Sequence, residues 1–173
     1  MRCKSASDRD LLALATEARS QAKTARTLLV NARFDIAIAA DADGVHLPAS
    51  GLPIDRVRGA FARNAHRPLL IGRSTHTADE VRCAREEGAD FVLFGPVFET
   101  PSKAGLIPAR GLKGLKAAIA CGLPVLALGG IDASNADQVL ACGAWGLAAI
   151  RWFENPAAGR HDYSAFRARW EEA

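Results

Sequence analysis

The sequence predicts an α/β fold, a (β/α)8 TIM barrel that is incomplete, with roughly its first βα unit missing. Three observations carry this. Apolar runs such as Phe91-Val-Leu-Phe94 are continuous rather than alternating, which marks strands covered on both faces, as in a parallel sheet. Stretches of helical spacing separate these runs, so strand and helix alternate through the chain, with the right-handed crossovers such a sheet requires. Polar residues and glycines follow the strands and precede the helices: Asn31, His46, Ser74, Thr75, His76, Thr100, Ser102, Lys103, Gly129, Gly130 and Arg151. Parallel barrels gather their chemistry at that end of the sheet.

Taken in order, Ser7-x-x-Asp10 starts a helix over about 8–23, with Leu11, Leu12, Ala15 and Ala18 at helical spacing. Leu28-Leu-Val30 is a short buried strand ending at Asn31. Phe34, Ala37 and Ile38 line a short helix that closes before the strand Gly44-Val-His-Leu47. Val57, Ala60 and Phe61 mark the next helix, and Arg67-Pro68 ends it. The strand Leu69-Leu-Ile-Gly72 delivers Arg73-Ser-Thr-His-Thr77, where Thr77 and Glu80 form a capping box for a helix stopping at Gly88. Backbone N–H groups at that helix start are a second candidate contact for an anion. After the Phe91–Phe94 strand come a helix over about 110–120 and the strand Pro124-Val-Leu-Ala-Leu128. Gly129-Gly130 ends that strand, and paired glycines there let the backbone approach a ligand closely. A helix over 132–142, a strand over 145–150 ending at Arg151, and a closing helix with Tyr163, Phe166 and Trp170 complete the chain. Ala42-Asp43-Gly-Val, Ala89-Asp90-Phe-Val and Ala144-Trp145-Gly-Leu repeat one helix-to-strand junction.

The count is six strands, beginning near 28, 44, 69, 91, 124 and 145, plus a stub at Met1-Arg2-Cys3. A closed barrel has eight strands and typically about 250 residues. Residues 1–173 are therefore read as one barrel domain short of a unit. An open barrel exposes two strand edges, so a homodimer covering the gap is expected, unless the true start lies upstream.

The net charge of +3, with no basic run and 6% aromatic residues, argues against a nucleic-acid partner. No signal peptide and no apolar run of bilayer length are found, so a cytoplasmic protein without a membrane partner is expected. Cysteines at 3, 83, 121 and 142 lack zinc spacing. Cys83, Cys121 and Cys142 read as small buried apolar residues, and Cys3 in the stub as a packing residue, with a reactive thiol as the alternative.

Chemistry concentrates in the loop after Phe94, which holds Glu99, Thr100, Ser102 and Lys103. One ammonium among hydroxyl and backbone donors suits a phosphate or pyrophosphate. His76 and His46 lie near the same strand ends, and either could transfer protons, although each more often serves as a structural hydrogen-bonding histidine.

Three segments go beyond generic barrel features: Asp43-Gly-Val-His-Leu47, Ile71-Gly-Arg-Ser-Thr-His-Thr77 and Gly88-Ala-Asp-Phe-Val-Leu-Phe-Gly-Pro-Val-Phe-Glu-Thr-Pro-Ser-Lys103. With Leu128-Gly-Gly-Ile131, they make the chain resemble the thiamine-phosphate synthase/TenI family over about 2–153. The resemblance implies a barrel of thiamine biosynthesis that takes a small phosphate ester, a thiazole phosphate or thiamine phosphate. It implies pyrophosphate contacts from Arg2, Lys4 and Asn31, site contacts from Ser74 and Thr75, phosphate contacts from Thr100, Ser102 and Lys103, and thiazole-phosphate contacts from Gly129 and Gly130. His76 and Lys103 are the candidate catalytic residues, and Arg151 stands where the family has Ser. The synthase holds Mg²⁺ with two carboxylates whose places are Ala32 and Gly51 here, so no metal ligand is assigned, and Mg²⁺ stays a possible cofactor without its usual ligands. The TenI catalytic histidine is Pro96 here, and proline cannot transfer a proton. The expectation is a family member with synthase activity weakened or lost. The alternatives are an active synthase joining hydroxymethylpyrimidine pyrophosphate to hydroxyethylthiazole phosphate, a TenI-like tautomerase, or a non-catalytic phosphate-ligand protein.

Overall fold

A computed structural model describes residues 6–21, 27–64, 67–100, 107–150 and 152. Among them, strands and helices alternate as α1 (Asp8–Gln21), β1 (Leu29–Asn31), α2 (Phe34–Ala39), β2 (Gly44–Leu47), α3 (Ile54–Asn64), β3 (Leu70–Thr75), α4 (Ala78–Glu86), β4 (Phe91–Phe94), α5 (Gly111–Ile119), β5 (Val125–Leu128), α6 (Ala136–Ala141) and β6 (Gly146–Ala148). The six strands form one sheet in sequence order, β1-β2-β3-β4-β5-β6. The β1–β2, β2–β3 and β5–β6 pairs are parallel. Strand order equal to chain order is what repeated right-handed βα units produce.

The chain forms two compact units. One holds the described residues through Thr75 together with Arg82–Val92, and the other holds His76–Val81 with the described residues from Leu93 onward.

In the first unit, the N-terminus of α1 is fixed as its sequence foretells. The Asp10 N–H donates to Ser7 Oγ at 3.2 Å, and that hydroxyl donates to Asp10 Oδ2 at 2.7 Å. Leu11 and Ala15 of α1, Ile36 and Ala37 of α2, and Ile54, Val57 and Phe61 of α3 are buried with Val30, Val45, Leu47 and Ile71 of the strands. Burial of such side chains contributes roughly 1.5–3 kcal/mol each relative to exposure. The Phe91 ring fills the space over Gly72, where a Cβ would lie 2.2 Å from its Cζ.

In the second unit, Phe94, Val97, Leu115, Ala118, Val125, Ala127, Ala136 and Val139 are buried. Thr77 Oγ1 accepts the Glu80 N–H at 3.2 Å, the first half of the expected capping box. The reciprocal bond shifts by one residue, since the Glu80 carboxylate takes the His76 N–H at 2.5 Å.

Several boundaries differ from expectation. β3 runs on through Ser74 and Thr75, which were expected in the loop. α6 and β6 are shorter than the sequence spacing suggests, because turns at 133–135 and 142–143 take up their flanks. Cys83 is exposed rather than buried, since it lies on the outward side of α4, whereas Cys121 is buried and Cys142 intermediate. The stub at 1–3 and the closing helix lie outside the described residues.

Candidate functional site

In the first unit, three polar side chains meet at the C-terminal ends of neighbouring strands. Asn31 ends β1 and pairs in register with His46 of β2, which pairs in turn with Gly72 of β3. Residues two apart on a strand share a face, so Ser74 projects on the same side as His46 and Asn31. His46 Nδ1 lies 3.1 Å from Asn31 Oδ1, and its Nε2 lies 3.1 Å from Ser74 Oγ. With the asparagine oxygen accepting from Nδ1–H, Nε2 keeps its lone pair and the Ser74 hydroxyl donates to it. His46 thus sits where it can hold or receive a proton at Ser74 Oγ.

Residues beside this chain are committed elsewhere. Ala32 follows Asn31 with φ +63°, a region non-glycine residues seldom occupy. Arg33 bonds both Asp8 and Asp35. The hydrogen bond from Arg33, acting against partial burial, holds the Asp35 carboxyl below its ordinary range. Asp43, just before β2, is pushed up by partial burial. The Leu28 N–H, with Arg19 and Arg67, more than offsets this and leaves it depressed.

Thr75 points to the opposite face from Ser74 by strand alternation. It is 1% exposed, and its hydroxyl has no hydrogen-bond partner among the described residues. Threonine at this place therefore does not join the Asn31–His46–Ser74 chain.

In the second unit, His76 Nδ1 bonds the Gly95 carbonyl oxygen, so Nε2 is the ring atom that this bond does not engage. Thr100 is buried at 7% exposure. Gly129 and Gly130 have φ of +102° and +64°. A Cβ would lie 2.6 Å from Pro96 Cα at the first and 2.6 Å from the Glu99 carbonyl oxygen at the second. The pair is needed for close approach of its own 96–99 segment, which the Phe98 N–H ties to the Gly129 oxygen at 3.0 Å. At the start of α4, the expected anion contact meets the protein's own carboxylate, because Glu80 takes the His76 N–H.

Arg2, Lys4, Ser102, Lys103 and Arg151 lie outside the described residues. Asn31 and Ser74 are brought together. Thr100, His76, Gly129 and Gly130 all belong to the second unit.

The fold resembles that of thiamine phosphate pyrophosphorylase from Pyrococcus furiosus, with a TM-score of 0.86 and 32% identity, covering 99% of this chain and 81% of that one. The sequence pattern described as thiamine monophosphate synthase matches residues 1–153. The chain belongs to the thiamine monophosphate synthase family. Thiamine-phosphate synthase from Methanocella arvoryzae is 44% identical over 142 residues, 81% of this chain and 65% of its own length. That from a Nostoc species is 45% identical over 143 residues, 81% of this chain and 39% of its own length. The chain thus spans between about two fifths and two thirds of these two curated relatives. The structure of KGPDC from Streptococcus mutans, at 16% identity and a TM-score of 0.66, shares the fold. An incomplete (β/α) barrel is therefore the architecture, as the strand and helix alternation predicted. No helix among the described residues is long and apolar enough to cross a membrane.

The structure adds weight to two residues. His46, for which the sequence favours a structural role over proton transfer, bridges Asn31 and Ser74. Arg73, which the sequence places in a motif without a role, is buried. A guanidinium within Leu-Leu-Ile-Gly-Arg was the clue, because arginine is almost never buried unpaired.

Proposed function

We propose that this chain is a barrel of thiamine biosynthesis that binds a thiazole phosphate or thiamine phosphate, with its synthase activity weakened or lost. Family membership supports the ligand class. Lys103 would supply the charge, and Thr100 and Ser102 the hydroxyl donors, for a phosphate held beside Gly129 and Gly130. By the family resemblance alone, Arg2, Lys4, Asn31 and Ser74 are further candidate ligand contacts, and Arg151 either clamps a phosphate or blocks its pocket.

The donor set at the metal positions carries the statement about activity. Mg²⁺ bound with a phosphate wants one or two carboxylates. Ala32 offers a methyl group and Gly51 offers no side chain. Asp35, two residues past Arg33, is engaged by that arginine. The carbonyls of Pro48, Ala49 and Leu52, around Gly51, are bonded to Arg73. At these two positions the residues present do not fit Mg²⁺.

His76 would be the acid/base candidate for a TenI-like proton transfer, since Pro96 cannot serve and its Nδ1 bond to Gly95 leaves Nε2 as the reacting nitrogen. Binding is tested by thermal shift. Hydroxyethylthiazole phosphate at a hundredfold excess over its Kd should stabilise the protein by about 2.7 kcal/mol. Lys103→Ala should lose that shift, and an unchanged shift would remove Lys103 from the site.

A further inference from the structure

Arg73 is a charged residue inside β3, 9% exposed. Its register partner is Leu47, the last residue of β2, so it projects away from the face that carries His46 and Ser74. From there its guanidinium reaches the connection between β2 and α3. Nη1 donates to the Pro48 and Ala49 carbonyl oxygens at 3.4 and 3.1 Å. Nη2 donates to the Leu52 carbonyl oxygen at 2.7 Å and to Glu87 Oε2 at 3.4 Å. The same Glu87 oxygen accepts the Ile54 N–H, at the start of α3, at 3.4 Å. Residues 48–53, Pro-Ala-Ser-Gly-Leu-Pro, contain no charged side chain. Three of their carbonyls converge on one cation.

We infer that Arg73 is a positioning residue, which holds the 48–53 loop and thereby sets the Ser74–His46 contact on the opposite face of the sheet. The connection is short on both sides. Ser74 is the next residue along β3, and His46 lies two residues before Pro48. One planar guanidinium anchors the backbone carrying the hydroxyl and grips the backbone leaving the imidazole. Arginine suits this because its donors lie in a rigid plane and can serve several carbonyls at once, whereas a lysine ammonium is a point donor on a flexible stem. An aliphatic residue would take away the donors that those carbonyls share. The inference rests on the proposed binding reading only where ligand affinity is concerned.

The test compares wild type with Arg73→Lys and the more severe Arg73→Ala. Hydrogen exchange of amides in 49–52 should rise at least tenfold in both variants, while amides of α5 stay within twofold. Millimolar guanidinium should restore slow exchange to Arg73→Ala by refilling the space. The ¹⁵N signals of the His46 ring, assigned with His46→Asn, should show one fixed tautomer in wild type and averaging between tautomers in Arg73→Lys. A purely structural role would not move that signature in a folded protein. Unchanged loop exchange, or unchanged imidazole signals in folded Arg73→Lys, overturns the inference. So does loosening spread equally over the whole chain. Hydroxyethylthiazole phosphate affinity is the separate arm. If wild type binds, Arg73→Lys should bind at least fivefold more weakly, and equal affinity would count against the inference. If wild type does not bind, the ligand reading fails, and the exchange and imidazole results decide the positioning role on their own.

Discussion

In the first unit, Asp43 and Asp90 each stand just before a strand, and each closes a reciprocal pair with the strand alongside. The Asp43 N–H donates to the Leu28 oxygen, and the Leu28 N–H returns to Asp43 Oδ2 at 2.7 Å. The Asp90 N–H donates to the Ile71 oxygen, and the Ile71 N–H returns to Asp90 Oδ2 at 2.7 Å. Arginines complete both: Arg19 and Arg67 on Asp43, and Arg58 on Asp90. In the second unit, Trp145 holds the same place before β6. Its N–H still donates to the Val125 oxygen at 2.9 Å, but no carboxylate returns the bond, and the indole is 65% exposed. The backbone junction thus repeats whatever the residue, while the side-chain latch is an addition that the third copy lacks. Alternation of strand and helix sets the first, and residue chemistry sets the second.

Breaking a latch should have the largest effect. Asp43→Ala leaves the Leu28 N–H and two guanidinium groups without their acceptor, and is expected to cost about 2–3 kcal/mol in urea unfolding. Its pH dependence sharpens the point. The folded Asp43 carboxyl lies below its ordinary value, near 3.9 in an unfolded chain. The latch therefore contributes fully above about pH 4 and is lost as pH falls through the lower folded value. The stability gap between wild type and Asp43→Asn should shrink at acid pH, and a gap that widened there would contradict the latch. Building the missing latch comes next. Trp145→Asp is expected to gain up to about 1 kcal/mol through a bond to the Val125 N–H. A loss on the same unfolding curve would mean that the indole itself contributes. Smallest is Ala32→Gly, which relieves a left-handed backbone and should stabilise by about 0.5 kcal/mol, measured by thermal unfolding.

The sequence made the fold legible because both its periods are physical. Continuous apolar runs mean strands buried on two faces, and the three junction echoes mark where strands begin, two of them with a carboxylate that the structure shows at work. Cys83 was misjudged because small apolar residues near a helix midpoint do not reveal which side faces out. Of the candidate site, Asn31 and Ser74 each lie within hydrogen-bond distance of His46, on neighbouring strand ends. Thr75 was grouped with Ser74 because the pair reads as a polar loop. The strand continues through both, and alternation sends them apart. The glycine pair also packs against the chain's own 96–99 segment, a role that the residue pattern alone does not reveal. The partners of Arg73 are mostly backbone carbonyls, so the sequence signals a buried arginine without showing what it holds.

Turnover with both synthase substrates tests the account most directly. Hydroxymethylpyrimidine pyrophosphate and hydroxyethylthiazole phosphate, supplied with Mg²⁺, should yield thiamine phosphate at less than about a thousandth of an ordinary kcat of roughly 10 per second, while the thiazole phosphate still binds. Thiamine phosphate formed at ordinary rates would show that Ala32 and Gly51 cost the site nothing, and would contradict the account.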